Sequence, residues 1–195
     1  MFDKILLFEK KLSEFTGAPY VVTTDCCTHA LELCFIVDGI KQTSFTAFTY
    51  LSVVQLMHKL NIEYTLTNEY WIGEYKFENT RIWDSARNLK PNMYIQNQLQ
   101  CLSFGYSKPL DIGRGGAILT DDFELYKKLS MLRYDGRDIS ISPWESQKEF
   151  SIGYHYKLNP EECIRGIEKL EEYKSSHNFT NKFIQYPDCR KISIV

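Results

Sequence analysis

Gln100-Cys101-Leu102-Ser103-Phe104-Gly105-Tyr106-Ser107-Lys108-Pro109-Leu110-Asp111-Ile112-Gly113-Arg114-Gly115-Gly116-Ala117-Ile118-Leu119-Thr120 holds two short apolar runs separated by a glycine-rich turn that carries a lysine. Residues 100–104 and 116–120 read as strands, because short apolar runs bounded by turn residues suit a buried sheet. Glycine lets backbone pass close to a ligand. A lysine enclosed in such a turn can lose its charge and form a Schiff base. The same residues also describe a surface lysine in a glycine-rich turn.

Working outward, strands alternate with helices. Toward the N-terminus, Arg81-Ile82-Trp83-Asp84 reads as a strand ending on a carboxylate, Ile62 to Leu66 and Ile40 to Phe45 as further strands, and residues 49–59 as a helix. Tyr20-Val21-Val22-Thr23 is a short buried strand, followed by the polar turn Thr24 to Thr28 and a helix with Ala30, Leu33, Cys34 and Val37 on one face. Ile5, Phe8, Leu12 and Phe15 form a helical stripe that Gly17 terminates. Toward the C-terminus, 122–133 is an amphipathic helix and 134–158 an irregular, aromatic-rich stretch. A last helix starts at Pro160, with Asn159 as cap and Glu162 completing a capping box. Ile192 to Val195 reads as an edge strand or a frayed end. This alternation predicts a three-layer α/β/α fold with a mostly parallel sheet.

Composition narrows the function classes. With 195 residues, the chain suits one domain, or one domain plus an appendage. A hydrophobic fraction of 44 % and 14 % aromatics supply a core, which argues against global disorder. The formal net charge of -2 implies no bulk attraction to nucleic acid or an anionic membrane. No apolar run approaches the roughly 20 residues of a spanning helix, and the N-terminus lacks the basic start of a secretory signal. The expectation is a soluble, cytoplasmic protein. The 6 cysteines form no C-x-x-C pair and read as free thiols of a reducing compartment; the 4 histidines are scattered, which argues against a zinc site.

In open α/β sheets, ligands gather outside the carboxyl ends of strands. Three polar signals fall there: Asp25 to Thr28, Asp84, and Ser103 to Lys108. The first opens a helix, whose free N–H groups and partial positive charge suit a phosphate; it is equally an ordinary cap. Asp84 follows apolar residues, and a buried carboxylate needs a positive partner; a protonated pyridine nitrogen is one, a salt bridge another.

The order of these segments resembles the DegT/StrS family of pyridoxal-phosphate-dependent sugar aminotransferases. Phe8 to Gly17 is similar to the family's opening F-E-x-x-x-A-x-x-x-G helix, and Asp25 to Leu31 to its N-S-G-T-x-A-L phosphate turn. Trp83 to Ala86 is similar to E-D-A-A, and Ser103 to Ala117 to S-F-x-x-x-K-x-x-x-x-G-x-G-G-A. Leu132 to Arg137 resembles L-R-x-H-G, and Ile152 to Leu158 resembles G-x-N-x-R-L.

The resemblance implies pyridoxal 5'-phosphate as cofactor, Lys108 as the Schiff-base lysine and proton shuttle, and Asp84 as partner of the pyridine nitrogen. It implies that Thr28, the amide of Cys27 and the Ser103 hydroxyl bind phosphate. Tyr50, or Phe45 in another register, would stack on the ring; core packing explains either aromatic equally well. Arg87 stands where the family has a Gln or His beside the ring hydroxyl, and His155 where an Asn reaches the neighbouring subunit's phosphate. Cys26 and Cys27 replace the Ser and Gly of the phosphate turn, and Lys157 replaces an Arg. The implied partners are an amino donor, glutamate, and a keto-sugar nucleotide, with a homodimer as the assembly. Residues 1–175 correspond to a truncated cofactor-binding large domain and 176–195 to a C-terminal tail, the small C-terminal domain being largely absent. A reduced relative that binds cofactor or a protein partner without turnover is the alternative.

Overall fold

In the computed structural model, residues 2–181 and 183–193 are described. In chain order the elements are α1 (Phe2–Thr16), β1 (Tyr20–Thr24), α2 (Cys27–Val37), β2 (Gln42–Thr46), α3 (Leu51–Lys59), β3 (Glu63–Thr67), β4 (Tyr75–Lys76), β5 (Ile82–Asp84), β6 (Leu99–Ser103), β7 (Gly116–Thr120), α4 (Phe123–Leu132) and α5 (Pro160–Ser176). The expected stripe of α1 is buried at Ile5, Phe8, Leu12 and Phe15. Gly17 ends that helix at φ +79°, a left-handed conformation costly for other residues. Asp122 caps α4 by accepting from the Leu125 N–H, and at α5 Glu162 accepts from the Asn159 N–H at 3.1 Å.

The sheet is mixed, which corrects the expectation of a mostly parallel one. Its order is β1-β7-β6-β5-β4, and only the β5–β6 pair is parallel; β1–β7, β6–β7 and β4–β5 run antiparallel. For β6 and β7 the cause is the Lys108 turn. A parallel neighbour needs a crossover connection, usually a helix. Residues 104–115 contain none, so β7 folds straight back on β6, with Ser103 opposite Gly116. β2 and β3 form a separate parallel pair.

Alternate residues of the central strands feed two apolar clusters. Val22, Cys101 and Ile118 join side chains of α2, α3 and α4; Val21, Leu102, Ala117 and Leu119 join those of α1 and α5. A buried polar link pins α1 to this frame. Glu9 Oε1 accepts from the N–H and hydroxyl of Thr23, both at 2.8 Å, and pairs with Arg133 at the end of α4. Arg133 also donates to the Thr23 carbonyl at 2.9 Å.

Beyond α5 the chain folds back along the carboxyl edge of β5. Asn181 donates to the Asn88 side chain at 3.1 Å, and the Cys189 N–H donates to Ala47 O at 2.9 Å. Of the stretch read as an edge strand or frayed end, Ile192 and Ser193 belong to no strand, and Ile194 and Val195 lie outside the described residues. Among the described residues no helix is long and apolar enough to cross a membrane.

Candidate active site

The Lys108 turn is tied down by its own carboxylate. Asp111 accepts from the Ser107 N–H at 3.0 Å and from the Gly113 N–H at 2.9 Å. Ser107, immediately before the lysine, sits at φ +63°, a conformation serine rarely adopts and one found at ligand clamps. The turn then meets the start of α2. A Cβ on Gly116 would lie 2.6 Å from the Cys26 carbonyl carbon and the Cys27 nitrogen, so only glycine lets β7 approach this closely.

Between these parts lies a cavity of ≈ 440 Å³. Cys27 and Thr28 line it from the start of α2, Tyr50 from the start of α3, and Asp84 and Arg87 from the end of β5. Ser103 and Lys108 come from β6 and its turn. Seven of the eight sequence-selected positions thus converge. The eighth, His155, does not line the cavity; it is exposed and contacts Asp135 at 3.1 Å. Phe45, the other aromatic considered for stacking, is 2 % exposed in the core, whereas Tyr50 is 64 % exposed.

Asp84 is 5 % exposed. Its Oδ1 accepts from the Ala86 N–H and its Oδ2 from the Tyr75 hydroxyl, both at 3.0 Å. Burial raises its pKa above the usual carboxylate value, against these hydrogen bonds and the Lys108 charge. No salt bridge reaches it among the described residues. Tyr75 is in turn fixed by Thr49 at 2.7 Å, and burial, then Asp84, pushes its hydroxyl well above the usual range. Tyr75 escaped sequence reading because β4 is only two residues long and shows no period.

At the start of α2, the Thr28 and Ser52 hydroxyls meet at 2.7 Å. Burial keeps the Cys27 thiol well above its usual pKa, hence neutral. Beside them, Asp25 binds His29 at 2.6 Å and Arg114 at 3.3 Å, and Arg114 reaches Glu162 of α5 at 3.4 Å. Asp25, Cys26 and His29 place their ligand atoms within 4.8 Å of one another, a trio that spacing rules for zinc did not flag. Asp25 already faces two cationic partners there. Tyr186, from the tail, also lines the cavity, and no sequence signal pointed to it.

The model of the DegT/DnrJ/EryC1/StrS aminotransferase family matches residues 1–67 and 95–186. The chain belongs to that family. A curated relative, UDP-4-amino-4,6-dideoxy-N-acetyl-beta-L-altrosamine transaminase of Campylobacter jejuni (serotype O:2), is 24 % identical over 225 residues, covering 92 % of this chain and 59 % of its own length. The 3-oxo-glucose-6-phosphate:glutamate aminotransferase of Bacillus subtilis is 31 % identical over 84 residues, 43 % of this chain and 18 % of its own. This chain therefore spans well under two thirds of these relatives. Among solved structures, a family aminotransferase from Brucella abortus superposes with a TM-score of 0.72 at 18 % identity, over 88 % of this chain and 59 % of that one. NtdA of Bacillus subtilis, solved with bound cofactor PMP, gives 0.73 at 19 % identity, over 90 % and 49 %. The fold of this α/β chain is that of fold-type I aminotransferases, and the family's cofactor is pyridoxal phosphate.

Proposed function

We propose that this family member is a pyridoxal-phosphate-dependent sugar aminotransferase chain, taking an amino group from glutamate and giving it to a keto-sugar nucleotide. The observation that supports the reading is the shared cavity, lined by one amine, one buried carboxylate and the start of α2, whose free N–H groups suit an anion.

The donor set fits the cofactor. Asp84 is buried, faces the cavity and has no cationic side chain bonded to it among the described residues, so a protonated ring nitrogen would supply the missing partner. Thr28, the Cys27 amide at the start of an 11-residue helix, and the Ser103 hydroxyl would hold the phosphate. Tyr50 would cover the ring face, and Arg87 would sit beside the ring hydroxyl. Lys108 would be the Schiff-base lysine. When bound, pyridoxal phosphate supplies an electron sink that lets an amino group leave a donor and join a carbonyl acceptor. The Lys108 amine would be the group that takes up and returns a proton. The cytoplasm and a homodimer complete the proposal; His155, exposed on one protomer, would then reach toward the partner's phosphate.

The test is an absorbance spectrum of the purified protein with added pyridoxal phosphate. A near-visible band that borohydride bleaches, that glutamate shifts, and that Lys108→Ala abolishes is the expected result. A band indifferent to glutamate would instead indicate cofactor binding without turnover. Asp84→Asn is expected to weaken cofactor retention by roughly ten- to a hundredfold, the scale of one charge-assisted contact of 1.5–3 kcal/mol.

A further inference from the structure

Lys108 stands between two cavities. The one described above shares Arg87, Ser107 and Lys108 with a second of ≈ 410 Å³, walled on its far side by Asn178, Thr180 and Ile184. A long, flexible amine at such a boundary can turn either way. What fixes it comes from the tail. Lys108 Nζ donates to the Tyr186 hydroxyl oxygen at 3.5 Å, and Arg87 Nε donates to the same oxygen at 3.1 Å.

We propose that Tyr186 is a positioning residue, holding the Lys108 amine and the Arg87 guanidinium on one phenolic oxygen at the edge of the candidate cofactor cavity. The inference rests on the reading of Lys108 given under Proposed function. A hydroxyl acceptor suits this task. It orients the amine without the strong ion pair that a carboxylate would form, so the nitrogen remains available to react.

The tail is built to present this one side chain. Residues 183–185 and 187 are exposed, while Tyr186 is half-buried. Its ring stacks on Trp71 at 5.7 Å and 13°, and the Trp71 indole N–H is held by Phe48 O at 2.7 Å. The Arg87 guanidinium also lies 5.8 Å from the Tyr186 ring centre. The tail is anchored on both sides of it. Upstream, Asn181 packs so closely on Gly73 that a Cβ there would come within 2.1 Å of its Nδ2. Downstream, Cys189 is 4 % exposed and its thiol donates to Thr49 O at 3.4 Å.

Tyr186→Phe keeps the ring on Trp71 and deletes only the shared oxygen. Two readouts with opposite expected signs separate positioning from simple structural support. In cofactor-free protein, Lys108 should be reductively methylated by formaldehyde and cyanoborohydride about threefold faster than in the parent, the scale of one lost hydrogen bond, with other lysines unchanged. With added pyridoxal phosphate, the borohydride-fixable adduct on Lys108 should form about threefold more slowly. Equal Lys108 methylation in parent and variant overturns the proposal. So does a variant in which methylation and capture move in the same direction. If Tyr186→Phe melts well below the parent, both readouts are taken at a temperature where parent and variant are fully folded, and the same two signs are expected. If neither parent nor variant captures pyridoxal phosphate, the proposed function fails while the methylation comparison still decides the role of Tyr186.

Discussion

Burial alone would strip the proton from His29, yet its ring sits 2.6 Å from Asp25 and beside the Cys26 sulfur. The hydrogen bonds to Asp25 and Cys26 outweigh burial and raise its pKa from 6.5 to about 9. Arg114, on the other Asp25 oxygen, and the stacked Tyr156 ring complete its surroundings. A folded-state pKa above the unfolded one stabilises fully below the unfolded value and is lost as pH rises through the folded value. Wild-type protein should therefore exceed His29→Gln in melting temperature below pH 6.5, and the gap should close toward pH 9 and above. The difference should be at most about 2 kcal/mol, because the ring is partly exposed and screened. A gap constant across that window would contradict the pairing. Legibility at this scale was uneven. Strand ends and a helix start hint at a ligand, but Lys108, Asp84 and Thr28 could be selected only through the family resemblance, since a surface lysine, a salt bridge and a helix cap explain them equally well. Tyr186 could not, since a polar, aperiodic tail gives no clue to where it folds back. Glu9 and Arg133 were visible only as letters of matched segments; their pairing spans 124 positions and needs the fold to be seen.

At the scale of elements, β7 was read to its residue limits because Gly116 and Thr120 bracket an unbroken apolar run. Its direction was not legible. A strand's pattern is the same whether its neighbour runs parallel or antiparallel; only the absence of a helix in 104–115 distinguishes them. The sequence places β2 at Ile40 to Phe45 rather than Gln42–Thr46, since four of its five side chains are polar and only Phe45 marks it. The contact between β7 and the phosphate turn yields a test. Gly116→Ala drives a methyl against backbone atoms of Cys26 and Cys27, which cannot rotate away. It should destabilise the protein by about 1–3 kcal/mol in urea denaturation, the usual range for overpacking. It should also weaken pyridoxal phosphate retention more than that loss alone explains. A neutral substitution would mean that the turn has room to retreat.

Across the whole molecule, α1, β1 and α4 are joined through Glu9, Thr23 and Arg133, all nearly excluded from solvent. Breaking one side of a buried ion pair strands the other charge, so Glu9→Gln should cost about 3–5 kcal/mol in equilibrium unfolding. Glu9→Gln with Arg133→Met should recover much of it, because no uncompensated charge remains. Additive losses in that double variant would show that the two residues act independently. Arg114 poses a different question at this scale. Its guanidinium bridges Asp25, ahead of α2, and Glu162, in the first turn of α5. One rivet thus fastens two plates. Trimming Glu162 would loosen more than its own helix, and a change made for thermal hardiness on the outer surface would be felt as slack at the mouth of the chamber.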